Sequence, residues 1–316
     1  MIDIDKYIAN MLEFKESIGY SRGSYEHVLK NFRNYVFKVY PEAEVLNEEI
    51  VLNWCRKRDT ENPVGFRTRI QKFNEFLKYL ASIGIECYKL PPNFTPKKVR
   101  HTPYIFTDDE LLRIFAESDK LIPNPQSPML HIIIPVIYRL IYFCGLRPNE
   151  GRELLTADVD LDAGVLFIRK NKTHSERYVP MANDMRKLCI EYKQKLDQIS
   201  PNSEYFFPSR SGKPYAHDWL NKSFHKLWEK SKIDTNKAQV CVYSLRHRYA
   251  TAIMMKWLDE GADINAKLPY LSRYMGHSSF SDTAYYIHLL PEHLVRSSAI
   301  DWAKLNSLIP EVTDNE

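Results

Sequence analysis

Hydrophobic positions recur at three- and four-residue steps through the first ninety residues. Tyr25, Val28, Phe32, Tyr35 and Val39 form one series, and Phe66, Ile70, Phe73, Leu77 and Leu80 form another. That spacing places each series on one face of a helix. Gly19, Pro41 and the Asn62-Pro63 pair interrupt the pattern, which predicts about four helices. From Leu90 to Pro103 the periodicity stops. The segment LPPNFTPKKVRHTP holds four prolines, which remove backbone donors and disfavour helix on either side, so an extended linker is expected. Thr107-Asp108-Asp109-Glu110 then reads as a capping box that opens a new helix through Leu111, Ile114 and Phe115. β-prone residues cluster at Val165 to Ile168 and at Tyr178 to Val179, joined by the polar turn Lys170-Asn171-Lys172-Thr173-His174-Ser175. Helical patterns return at about 183–198, 216–231, 244–258 and 265–275.

The expected architecture is mainly α with a small antiparallel β-sheet. A helical domain over 1–90 is followed by a basic, proline-rich linker over 91–103. A second, α+β domain over 104–316 ends in a helical tail. No internal repeat or low-complexity tract is present.

Composition narrows the function classes only a little. The 316 residues suffice for two ordinary domains. Only 10 are glycine, which argues against a glycine-rich nucleotide-binding fold. The net charge of +4 permits nucleic-acid binding without demanding it. Lys97, Lys98, Arg100 and His101 concentrate charge in the linker, where they suit a strap across phosphates. The cations of the first domain (Arg22, Lys30, Arg33, Arg56, Lys57, Arg58, Arg67, Arg69 and Lys72) either line a DNA backbone or form a solvated surface; the segment alone favours the second. The five cysteines are widely spaced with no metal or redox motif, so they read as reduced thiols of an intracellular protein. The N-terminus lacks the pattern of a secretory signal, and the longest apolar stretch, Ile132 to Cys144, contains Pro135 and Arg139 and is too short to cross a bilayer. A cytoplasmic location is expected.

Four separated segments place unusual polar residues among apolar ones. Gly145-Leu146-Arg147-Pro148-Asn149-Glu150 joins two helical patterns, and a glutamate three residues after the arginine can hold it rigid; an ordinary surface arginine after a helix-ending glycine is the plainer alternative. Lys172 sits on the hairpin turn, where it can enter a DNA groove or simply be solvated. Arg246, in Tyr243-Ser244-Leu245-Arg246-His247, lies near the start of a buried helix, an unfavourable place for a cation unless an anion is close. Met275-Gly276-His277 is followed nine residues after the histidine by Tyr286, within a Thr-x-x-Tyr-x-His frame. A core role is the common fate of a tyrosine; the combination is what is specific.

Taken in order, these segments resemble the tyrosine recombinase (phage integrase) family, including its Xer-like site-specific recombinases. The resemblance covers the linker and nearly all of residues 104–290, and more weakly the helical N-terminal region, which is similar to that family's core-binding domain. It implies a C-shaped clamp on DNA. It also implies that Arg147 and Arg246 are the catalytic arginines, Lys172 the hairpin lysine, His277 the histidine of the Leu-Gly-His motif, and Tyr286 the nucleophile. One position departs from the pattern. The second arginine motif usually starts with a histidine three residues before the arginine, and here that residue is Tyr243. A phenol donates a hydrogen bond but is a poor base at neutral pH. Either the site tolerates Tyr243 as a neutral donor, or the proton of Tyr286 leaves by another route. Tolerance is preferred because the other five positions match. His247 follows the arginine as in many members and is not assigned the vacant role.

The implied chemistry is attack of Tyr286 on a DNA phosphate, giving a 3′-phosphotyrosyl bond and a free 5′-hydroxyl. The covalent bond conserves the phosphodiester energy, so neither ATP nor metal is required, in keeping with the missing P-loop and metal motif. The implied partners are double-stranded recombination sites, a homotetramer on DNA, and accessory DNA-bending proteins. The tail from Pro291 carries Leu294, Val295, Ile300, Trp302 and Leu305. It either folds back or docks on a neighbouring protomer, and the resemblance favours docking. Integration and excision of a mobile element lead as the biological role, with transposition in the same class. The alternatives are Xer-type dimer resolution, a topoisomerase-like or hairpin-forming relative, and a DNA-binding relative that has lost catalysis.

Overall fold

The computed structural model describes residues 3–97, 102–169, 176–233 and 240–290. Lys98, Arg100 and His101 of the linker, the turn bearing Lys172, and the tail from Pro291 lie outside the described residues. The chain divides into two compact units, Met1–His101 and Thr102–Glu316.

The first unit holds four helices, α1 (Ile4–Ser17), α2 (Arg22–Val39), α3 (Glu48–Cys55) and α4 (Pro63–Ser82). Asn47 and Asn62 cap α3 and α4 by accepting from backbone N–H groups of Ile50 and Gly65, and Pro63 fills the first turn of α4, where it forfeits no hydrogen bond. The two apolar series face one core, except that Val39 at the end of α2 is exposed; within that core Phe32 packs against Trp54, Phe73 and Phe76. Arg69 is no surface cation. It is buried, gripping the Glu61 carboxylate with two N–H groups and donating two more to the carbonyls of Trp54 and Arg56. Arg33 likewise forks onto Asp5. Neither offers an unpaired charge to a DNA backbone.

The second unit opens on α5 (Asp108–Asp119) with the predicted capping box, in which Thr107 and Glu110 each accept the other's backbone N–H. The apolar helix α6 (Leu130–Phe143) forms the centre, with α8 (Asn183–Ile199) and α10 (Tyr243–Asp259) packed on it. Between α6 and α8 lie the five-residue α7 (Pro148–Arg152) and an antiparallel sheet in the order β1 (Val159–Asp160), β2 (Val165–Ile168), β3 (Arg177–Pro180). The β2–β3 register pairs Ile168 with Arg177 and Val165 with Pro180. Helices α9 (Trp219–Lys230), α11 (Ile264–Met275) and α12 (Phe280–Ala284) follow, and a 3-10 turn over Tyr285–Leu289 completes the described part. This is the expected class, mainly helical with one small antiparallel sheet. Strand β1, only two residues long, is an addition to the two strands expected from the sequence. All five cysteines are free thiols. No helix among the described residues is long and apolar enough to cross a membrane.

Candidate active site

The site is assembled at the end of α11. Gly276 terminates that helix in the left-handed conformation, with φ of 66°, and turns the last carbonyls outward without partners of their own. Three arginines from three other segments take them in succession. Arg177 donates from Nε to the Tyr274 carbonyl at 2.7 Å, Arg246 from Nη2 to the Met275 carbonyl at 2.6 Å, and Arg147 from Nη2 to the Gly276 carbonyl. A helix C-terminus carries partial negative charge, so guanidinium groups are favoured there. The Gly-His motif thus does more than deliver a histidine, because its backbone spaces the cations.

Each arginine is reached by a distinct local device. Two residues past the end of α6 lies Gly145, also left-handed with φ of 57° and pressed so closely on Tyr249 that a Cβ would meet the ring at 2.6 Å. The chain then makes Arg147 the cap of α7, with Pro148 in the first turn. Arg246 enters on the first turn of α10 and is fully buried; its Nη1 donates to the Gly145 carbonyl at 2.5 Å, while its Nε has no hydrogen-bond partner among the described residues. Arg177 enters from β3, where Arg177 and Val179 point inward and Tyr178 and Pro180 outward.

Glu150 locks two of these cations. Its carboxylate accepts from Arg147 Nη1 at 2.8 Å, from the Arg147 backbone at 2.8 Å, and from Arg177 at 3.0 and 2.7 Å. Burial pushes its acidity toward the neutral form, yet the flanking arginines outweigh burial and hold it below the usual carboxylate range. Three guanidinium groups against one carboxylate leave excess positive charge in a largely buried setting.

Tyr286 lies within this cluster and is only 3% exposed. Its hydroxyl is 3.0 Å from His247 Nδ1. Burial raises its pKa well above the ordinary phenol value, with the Arg246 charge pulling the other way, so the phenol is protonated at neutral pH. His277 is fixed by a 2.6 Å hydrogen bond between its Nδ1 and the buried Thr283 hydroxyl, and its ring lies nearly parallel to that of Tyr286 with centroids 6.0 Å apart. Burial, then the charges of Arg246, Arg147 and Arg177, push His277 down to about 3. His247 is pushed down to about 4 by burial and by Arg246. Both imidazoles are neutral at pH 7. Tyr243 stands one helical turn before His247 with ring centroids 4.9 Å apart and is 37% exposed.

The structure therefore brings Arg147, Arg246, His277 and Tyr286 together, with Tyr243 at the rim. Of the linker cations, Lys97 is described and exposed. Sequence reasoning left Arg177, Thr283 and His247 without roles. Arg177 had one available signal: it sits at an inward position of a strand whose alternation is otherwise apolar, so it needed a buried partner.

Comparisons with known proteins agree on one group. The sequence profile of the phage integrase family matches residues 105–293. The chain is 27% identical over 290 residues to the putative integrase/recombinase y4rE of Sinorhizobium fredii, covering 90% of each chain. It is 28% identical over 277 residues to the tyrosine recombinase XerA of Thermococcus kodakarensis, covering 86% of this chain and 88% of that one. Among solved structures, the Tn1549 transposon integrase in complex with transposon right-end DNA superposes with a TM-score of 0.66 at 12% identity, covering 97% of this chain and 99% of the other, a likeness of fold.

Proposed function

The chain belongs to the phage integrase family and is a tyrosine-type site-specific DNA strand transferase; on that premise we propose that Tyr286 is its nucleophile and that Arg147, Arg246 and His277 hold the phosphate it attacks. The observation that carries this reading is the buried Tyr286 hydroxyl set among arginines whose charge one carboxylate only partly offsets. A phosphodiester is an anion, and charge accumulates on its non-bridging oxygens as the fifth oxygen arrives. Arg147 and Arg246 meet those oxygens with planar guanidinium donors, and His277 adds a third donor. Fixed donors of this kind are worth roughly 10²–10³ in rate each. The phenolic oxygen bonds to phosphorus, the 5′-oxygen leaves, and Lys172, in the segment that joins β2 to β3 in the sequence, protonates it. Tyr243 serves as a neutral hydrogen-bond donor at the rim.

In the same reading residues 1–90, within the first unit, form the core-binding domain. Lys97, Lys98 and Arg100 strap the DNA backbone, and residues 104–316 form the catalytic domain with its tail. The partner is double-stranded DNA carrying a recombination site. Four protomers assemble on two such sites and dock through the tail from Pro291, with accessory DNA-bending proteins where the site is long. Mobile-element integration and excision is the favoured role, in line with a relative named a putative integrase/recombinase that matches over nine-tenths of both chains. Xer-type resolution is the second reading, on the XerA relative.

The test is covalent trapping. The protein is incubated with a pool of nicked duplexes, and adducts are recovered by denaturing electrophoresis and sequenced. Wild type is expected to form a protein–DNA adduct that Tyr286→Phe abolishes, and adduct formation undiminished in the Phe variant would remove Tyr286 from its role.

A further inference from the structure

We propose that His247 takes the proton of Tyr286 when the tyrosine attacks, filling by a shift of one helical turn the place left by Tyr243. The inference rests on Tyr286 being the nucleophile.

Three observations carry it. Nδ1 of His247 lies 3.0 Å from the Tyr286 hydroxyl, the distance of a direct hydrogen bond, with the two rings inclined at 54°. The other imidazole is already engaged: His277 Nδ1 is bound to Thr283, and its ring lies alongside that of Tyr286. Tyr243 and His247 are four residues apart on α10 and share a face, with centroids 4.9 Å apart. An imidazole at 247 therefore stands about 6 Å further along the same helix face than one at 243.

The charges around His247 decide when it accepts. Tyr243 and Arg246 face it from α10, Tyr286 from the 3-10 turn, and His277 from beyond the end of α11, while Asp282 of α12 lies within electrostatic reach of Tyr286. Burial, and then the charge of Arg246, keep the imidazole neutral, so it offers a lone pair at pH 7 when its proton sits on Nε2. A phosphate anion bound by Arg246 and Arg147 offsets the charge that disfavours protonation, so proton affinity rises as the substrate arrives. In the step itself the bond from Tyr286 oxygen to phosphorus forms and the phenolic proton passes to Nδ1. The bond from phosphorus to the 5′-oxygen breaks with its electron pair on that oxygen, which Lys172 protonates.

Single-turnover adduct formation tests this on a nicked duplex bearing the sequence recovered from DNA trapped on wild-type protein. Absence of any Tyr286 adduct with wild type would defeat the reading of the nucleophile, a result separate from the outcomes below. His247→Gln and His247→Ala should slow adduct formation by about 10²–10⁴-fold. Their rates should rise with hydroxide concentration where wild type levels off, and added imidazole should rescue His247→Ala. Replacing the bridging 5′-oxygen by sulfur, which leaves without a proton, should restore Lys172→Ala but not the His247 variants. His247→Asn keeps an acceptor near Nδ1 without a base. Wild-type rates for His247→Asn, rescue of His247→Ala by sulfur, or failure of imidazole to rescue it would each overturn the proposal.

Discussion

Gly276 and Arg177 lie so close that a methyl group on the glycine would stand 2.7 Å from the Arg177 Nη1 atom. Gly276 is also left-handed, so two independent constraints exclude a side chain there. The same residue presents its carbonyl to Arg147 and ends the helix whose preceding carbonyls hold Arg246 and Arg177. Gly276→Ala should therefore displace the arginines as a group. We expect a stability loss of about 1–3 kcal/mol in urea unfolding, and a fall in adduct formation of more than about tenfold. A variant with wild-type rate would show that the helix end does not set the spacing of the cations.

Glu150 supplies the counter-charge. Glu150→Gln keeps its shape and removes the charge that Arg147 and Arg177 share. Breaking a buried pair leaves uncompensated charge and costs about 3–5 kcal/mol. A drop of that order is expected in urea unfolding at pH 7.5, with the larger share assigned to Arg177 because it is the more deeply buried partner. A change below about 1 kcal/mol, the range of a surface pair, would contradict the assignment.

The two neutral histidines give stability a defined pH dependence. His247 is pushed down to about 4 and His277 to about 3 in the folded protein, by burial first and Arg246 second, against about 6.5 for a free imidazole. Between those values the unfolded chain binds more protons than the folded one. The contribution is fully present above about 6.5 and is lost as pH falls toward 4. Thermal melting should be flat from pH 7 to 8 and decline from about 6.5 to about 4.5, and His277→Gln should flatten the decline. An unchanged slope in that variant would show that His277 does not resist protonation.

Tyr243 stands at the rim and is partly exposed, which suits a donor more than a base. Tyr243→His should keep or raise the rate of adduct formation. Collapse of activity would show that the site depends on tyrosine itself.

Arg147, Arg246, His277 and Tyr286 were legible in the sequence because each sits at short, fixed spacing from a glycine turn or a helix start. The first-unit helices were legible from periodicity, and strands β2 and β3 from their β-prone residues. The ion pair between Glu150 and Arg177 was not, since it joins residues 27 positions apart and depends on how β3 docks against α11. Two-residue β1 is too short to show alternation. His247 was visible one turn after Tyr243, but its contact with Tyr286 depends on the packing of the 3-10 turn against α10. That contact is the geometry on which the proposed transfer of the Tyr286 proton to His247 rests.

The most direct measurement is peptide mapping of the trapped intermediate. After nuclease and trypsin digestion, the fragment spanning residues 274–296 contains Tyr274, Tyr285 and Tyr286. Fragmentation by tandem mass spectrometry assigns the modified side chain among them. The account predicts a nucleotide joined through its 3′-phosphate to Tyr286. Attachment at Tyr285, at Tyr243 or at a serine would contradict it.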